Sequence, residues 1–189
     1  MPQLEKLSLH RIDLRIDDFQ HIAYLHELLW LEITKSSRPP DGLAFLSSLE
    51  QLWLLRLHSM KLEDDDLRQV GSLHRLLRLD LSGNPIGNLG LAHLSRLKKV
   101  TSLVLVDTQI SSDGIGHLVG MSDLRQLDLA RTKLDDNAVD DLCQLHNLRE
   151  LDLCGTNLTS EGVSKLRREL GRCLIWWPER TAPSAITAY

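Results

Sequence analysis

LRQLDLARTKL, Leu124 to Leu134, places leucine at relative positions 1, 4, 6 and 11 and threonine at 9. Stepping back by 24 residues gives VTSLVLVDTQI from Val100, and stepping forward gives LRELDLCGTNL from Leu148. The step is constant along the chain, with units starting at Leu4, Leu28, Leu52, Leu76, Val100, Leu124 and Leu148 and a partial eighth at Arg172. A unit of this size cannot bury its apolar side alone and does so only against its neighbours. The useful count in this 189-residue chain is therefore repeats rather than globular domains.

Each unit changes its period halfway. Positions 4 and 6 are Leu7/Leu9, Leu31/Ile33, Leu55/Leu57, Leu79/Leu81, Leu103/Leu105, Leu127/Leu129 and Leu151/Leu153, the alternation of a short strand with one buried face. Positions 16, 19 and 22, for example Leu67, Val70 and Leu73, are spaced as one face of a short helix. Position 14 is Asp17, Asp41, Asp65, Leu89, Asp113, Asn137 or Glu161, suited to an N-cap or first-turn residue. Gly42, Gly90, Gly114 and Gly162 at position 15 permit a tight entry. Strand, turn, helix and turn in register predict an α/β solenoid with a parallel β-sheet on one side and short helices on the other. Strands stand about 4.8 Å apart and helices about 10 Å, so the stack curves into a horseshoe segment with the sheet on its concave face.

The first three units depart from the pattern. Position 9 is Ile12, Ser36 and Met60, against Asn84, Thr108, Thr132 and Thr156 later, so the expected polar ladder is incomplete early on. Unit two has Arg38 where an apolar residue belongs, followed by Pro39 and Pro40. At the other end RCLIWW puts Ile175 and Trp177 at strand positions before Pro178. The repeat domain is therefore expected over residues 1–177, with a closing strand at 172–177 and a flexible tail at 178–189. No capping element is visible before Leu4, which suggests a fragment, an upstream start, or an edge covered by another chain.

A net charge of −4 supplies no basic field of the kind that draws a protein to nucleic acid or an anionic membrane. The cysteines, Cys143, Cys154 and Cys173, are odd in number and unpaired in spacing, which fits reduced thiols better than a disulfide framework. MPQLEKLSLH has no apolar signal core, and no apolar run approaches the ~18 residues of a spanning helix. The expectation is a cytoplasmic chain, or a secreted one if a signal has been cut away.

The units approximate L-x-x-L-x-L-x-x-T-x-I-x-D-x-G-L-x-x-L-x-x-L. The chain thus resembles a leucine-rich repeat protein of the bacterial 24-residue type, planctomycete-like and similar to the repeats of cysteine-containing F-box leucine-rich proteins. LTSEGVSKLRRELGRCLIWW is similar to the terminal unit of such planctomycete proteins, with Gly171 where proline is usual. The resemblance covers residues 4–177 and implies a non-enzymatic scaffold that binds a protein or peptide through its concave sheet.

Positions 3, 5 and 7 face that surface, flanked by 2 and 8. Trp30, Glu32, Trp53, Leu54, Arg56, His58, Arg78 and Asp80 come from consecutive units and are expected to form one partner-binding neighbourhood, since exposed Trp and Arg are enriched at hot spots. Trp30 and Trp53 have a second reading as extra core over a poorly capped end. Glu32, Arg56 and Asp80 share a column and are expected to pair laterally. Asp128 and Asp152 sit side by side with no intervening base, a repulsion that a cation or a basic partner would relieve.

No catalytic, cofactor-binding or metal-binding residue is assigned. All eight histidines fall on repeated slots: His10 and His58 at position 7, His21, His93 and His117 at 18, His26, His74 and His146 at 23. Cys154, at concave position 7, is the one cysteine placed to react, yet its unit offers no histidine beside it. LSGNPIGNLGL, around Gly83 to Gly90, is a repeat turn rather than a phosphate cradle. The alternative to a binding module is a structural or spacer piece of a larger repeat protein, continuing or self-associating through its N-terminal edge.

Overall fold

In a computed structural model, described over residues 4–39 and 41–177, eight strands form one parallel sheet in chain order. They are β1 (Lys6–His10), β2 (Trp30–Thr34), β3 (Leu54–His58), β4 (Arg78–Asp80), β5 (Ser102–Val104), β6 (Gln126–Asp128), β7 (Glu150–Asp152) and β8 (Leu174–Trp176). Every pairing aligns residues one 24-residue period apart, from Leu7 with Leu31 through to Leu151 with Ile175. The expected closing strand is β8. The sequence period is thus the sheet register, and the expected tail at 178–189 lies outside the described residues.

Opposite the sheet run α1 (Ile16–Ala23), α2 (Leu67–Val70), α3 (Asn88–Leu94), α4 (Val139–Cys143) and α5 (Ser160–Glu169), with 3₁₀ turns at Ala44–Ser48, Asp64–Asp66, Ser112–Leu118 and Asp136–Ala138. Between the two layers the strand leucines and the helix-face residues make one continuous core, fully buried through the middle units; Leu7 and Leu9 of β1 are only half-buried. The sequence pattern places the helical segments; units two and five use the tighter 3₁₀ turn throughout, and units three and six open with one such turn before α2 and α4.

The helix starts decide between the two readings of position 14 in favour of the first turn. Position 14 lies in the first turn, as Asp17 and Glu161 do as second residues of α1 and α5; the N-cap is position 12, occupied by Arg15, Glu63, Gly87, Ser111, Asp135 and Thr159. The backbone N–H of position 12 donates to the position 13 side chain of the preceding unit. Gly87 donates to Asp64 (2.6 Å), Ser111 to Asn88 (3.0 Å), Asp135 to Ser112 (3.0 Å) and Thr159 to Asp136 (2.8 Å). The ladder begins at Asp64 because the earlier position 13 residues, Ile16 and Pro40, carry no acceptor and Pro39, at position 12, has no N–H; Glu63 N–H goes to Asp66 instead.

This ladder explains the glycines at position 15 of units four, five and seven, whereas Gly42 holds a left-handed turn at φ 62°. A Cβ on Gly114 would stand 2.5 Å from Asn88 Oδ1, and one on Gly162 would stand 2.3 Å from Asp136 Oδ1. Where the rung is the shorter Ser112, position 15 is Ala138. Gly162→Ala is expected to cost about 1–2 kcal/mol by displacing a capping carboxylate. Combining it with Asp136→Ser restores most of the loss, which thermal unfolding of the three variants measures.

Each of the first seven strands leaves the sheet at position 8 in a left-handed conformation, with φ of 52° at Arg11, 54° at Lys35, 53° at Ser59, 69° at Gly83, 57° at Asp107, 56° at Arg131 and 76° at Gly155. Only two of these seven are glycine, so no residue-type column announced the bend. The strain, of order 1 kcal/mol for each non-glycine, is offset by one more ladder bond, such as Arg131 N–H to the Cys154 carbonyl at 2.7 Å.

Candidate functional site on the concave face

Registered pairing puts Trp30, Leu54 and Arg78 in one column and Glu32, Arg56 and Asp80 in the next. Trp30 is the centre of the cluster. The edge of Trp53 meets it with ring centroids 6.2 Å apart and planes at 67°, Lys6 Nζ lies 5.2 Å from its centroid, and Arg56 Cζ lies 5.8 Å from it. Arg56 also reaches Glu32 at 3.8 Å. Trp30 Nε1 is buried and has no hydrogen-bond partner among the described residues.

The two tryptophans are not extra core. Both are half-buried and neither belongs to the core cluster, whereas Trp177 packs against it. Leu54 departs from expectation in the other direction. It is 2% exposed and stands outside the core cluster, so it is buried on the concave side between its register neighbours and is no surface contact. The lateral pairing is half of what the column suggests, because Asp80 turns to its own chain instead. Its Oδ1 accepts from Ser82 N–H (3.0 Å) and Ser82 Oγ–H (2.6 Å). Arg78 is exposed and makes no ion pair among the described residues.

Two hollows flank these side chains. One of about 290 Å³ lies over Leu54, Arg56, Arg78, Asp80, Ser102 and Val104. The other, about 300 Å³, joins His10, Glu32, Thr34, Arg56, His58 and Asp80. His58 stands beside the buried Thr34, whose hydroxyl is hydrogen-bonded to His10 Nδ1 from the other side. An apolar hollow of about 330 Å³ lies elsewhere, between α1 and the 44–48 turn over the Phe19–Phe45 pair. It is a packing gap between the two irregular units and brings no charge pair or register column together.

Arg38, the apparent misfit of unit two, is not on this surface. Its Nε and Nη2 donate to Asp66 at 2.8 and 3.0 Å, and Asp66 is 4% exposed. Asp66 occupies position 15, so the pair replaces an apolar residue and a glycine together. The bond to Asp66 holds the Arg38 guanidinium above its ordinary pKa, with burial opposing.

Towards the other end of the face, Asp128 and Asp152 are aligned on β6 and β7. Each closes a turn, accepting from Ala130 N–H (3.0 Å) and Cys154 N–H (2.8 Å). Burial pushes the Asp128 carboxyl up, the Ala130 bond opposes, and the charges of Asp152 and Asp80 add to the rise. No group of three or more His, Cys, Asp or Glu among the described residues is arranged to hold a metal. The hydrogen bond to Asp152, then burial, pushes the Cys154 thiol up to about 11, so the cysteine placed to react is held as an unreactive thiol. At pH 8 iodoacetamide is expected to alkylate it at least ~10-fold more slowly than an ordinary thiol, since the lost thiolate outweighs the gain in nucleophilicity; Asp152→Asn speeds it, and a parent rate equal to glutathione would contradict this account.

A family model described as Zer-1-like, leucine-rich repeats, matches residues 67–173. The chain belongs to this leucine-rich repeat family. The matched span starts in the helical half of unit three and ends just before β8. Curated proteins offer no match. Among solved structures, the leucine-rich repeat chain is similar to internalin C2 of Listeria monocytogenes, at 21% identity and a TM-score of 0.71 over 92% of this chain and 80% of that one. It is also similar to a leucine-rich repeat protein of Leptospira interrogans, at 22% identity and 0.63 over 82% and 38%. The ectodomain of the Arabidopsis receptor kinase HAESA, solved in complex with an N-terminally extended IDA peptide hormone ligand, gives 24% and 0.69 over 94% and 31%. These identities show a shared fold. The chain spans less than two fifths of the Leptospira and Arabidopsis proteins.

Proposed function

We propose that this leucine-rich repeat chain is a non-enzymatic recognition module that binds a protein or peptide through its concave face, with the Trp30–Arg78 neighbourhood dominating. The observation that carries this reading is Trp30 itself. It is held outside the core with two cations against its ring and a buried N–H that has no acceptor among the described residues, an unmet bond that costs about 1–3 kcal/mol. Tryptophan and arginine gathered in a hollow are the composition of a binding hot spot. The HAESA ectodomain, solved with a peptide hormone, is a precedent for this fold. The three free cysteines suit the reducing cytoplasm.

Affinity capture with the wild-type chain and with Trp30→Ala and Arg56→Ala tests the proposal. Each substitution is expected to weaken capture by about 2 kcal/mol, some 30-fold, with an unchanged unfolding midpoint. If both leave binding intact, the site is elsewhere. A second reading, that another chain or further repeats cover β1, draws on the exposed Leu4, Ile12, Ile16 and Tyr24 gathered at that end. Sedimentation at rising concentration would reveal self-association, and a monomer throughout would remove it.

A further inference from the structure

Charge on the concave face is divided. The half built by β1 to β4 presents Arg56 and Arg78, with Glu32 paired to Arg56 and Asp80 turned to Ser82, while the half built by β6 to β8 presents Asp128 and Asp152 on adjacent strands and Trp176 on the last strand. Trp176 is 54% exposed, aligned with Asp152, and forms one wall of a hollow of about 230 Å³ that Val104, Asp128 and Asp152 also line. No base lies within ion-pair distance of either aspartate among the described residues; Arg131, beyond the strand ends, acts on Asp128 only as a more distant charge.

Resting on the concave-face reading above, we infer that the ligand is an extended peptide segment carrying opposite charges: an acidic side chain over Arg56 and Arg78, and an arginine or lysine between Trp176 and the Asp128–Asp152 pair. Three considerations select that occupant for the second subsite. An exposed indole beside two carboxylates offers a cation both a π face and ion pairing. Each aspartate already spends one oxygen on its own turn, leaving too few ligands for a calcium shell but enough for an ammonium or guanidinium. The two subsites also lie about three strand spacings apart, roughly 14 Å, which an extended chain covers in about four residues. The charge split therefore sets the direction in which the segment lies across the sheet.

The test is selection of a random nonapeptide display library on the immobilised full chain, repeated on Asp128→Asn/Asp152→Asn and on Trp30→Ala/Arg56→Ala. Asparagine keeps the side-chain oxygen that accepts each backbone N–H, so the first pair leaves the turns closed. The parent is expected to select peptides with an acidic and a basic residue about four positions apart. On the asparagine pair the basic requirement disappears, the acidic one stays, and synthetic copies of the parental peptides bind about tenfold more weakly. Peptides without a basic residue, or basic peptides that bind the asparagine pair within twofold of the parent, would overturn the inference. If the Trp30/Arg56 pair still weakens binding in that case, the concave-face reading survives; if neither pair matters, or no peptide is selected, both fall.

Discussion

Asn84→Ala will lower the unfolding free energy by roughly 3–5 kcal/mol, the largest single loss expected outside the leucine core. The side chain is 1% exposed and serves two units at once. Its Oδ1 accepts from Met60 N–H (2.9 Å) and Leu62 N–H (3.1 Å) in the preceding unit, and its Nδ2 donates to the carbonyls of Leu57 (2.7 Å) and Leu81 (2.8 Å). Alanine leaves all four groups buried and unpaired. Thr108, Thr132 and Thr156, at the same position, each donate only to a carbonyl of their own unit, between 2.6 and 2.8 Å away. Asn84→Thr is therefore expected to lose about half as much, because it keeps one bond and gives up the reach into unit three. Urea unfolding of both variants checks the order, and an alanine variant within 1 kcal/mol of the parent would remove Asn84 as the tie between the irregular and regular halves.

The second large effect concerns Arg38→Leu, which restores the residue type of the other units. On its own it will destabilise by about 3 kcal/mol, because the buried Asp66 carboxyl loses both Arg38 bonds and is left, among the described residues, with Glu63 N–H at 2.8 Å. Adding Asp66→Ala removes the stranded carboxylate and is expected to return the chain to within about 1 kcal/mol of the parent. A double-mutant cycle measures the coupling. Additive losses would mean that the two departures from the repeat are unrelated.

The fold was legible because one signal, the 24-residue period, fixes strand register, layer order and core together. Leucines at positions 4 and 6 and the helix-face residues at 16 and 19 lie where the spacing put them. The capping ladder was harder to see. Its acceptors, Asp64, Asn88, Ser112 and Asp136, differ in type and act on the next unit, so the column shows only after units are compared across one step. The left-handed bend at position 8 had no residue signature, since arginine, lysine, serine and aspartate hold it as well as glycine does.

The candidate site was legible as a set of columns but not as a set of contacts. Register predicted that Trp30, Arg56 and Glu32 would meet. It could not say that Leu54 would be buried, that Asp80 would turn to Ser82, or that Arg38 would pair with a buried Asp66, because each outcome depends on how a side chain chooses among its neighbours. The departures from the repeat in units one to three thus divide into two kinds. Met60 and Arg38 are compensated by Asn84 and Asp66 in the following unit, while Trp30 and its cations have no structural counterpart. The second kind carries the functional proposal.

Hydroxyl-radical footprinting of the complex with the captured partner tests that proposal most directly, since tryptophan side chains report oxidation strongly and lie on known faces. Protection of Trp30 and Trp53, with Tyr24 on the helical side still oxidised as in the free chain, is the expected result. Unchanged oxidation of both tryptophans together with protection of Tyr24 would contradict it and move the binding surface to the convex side.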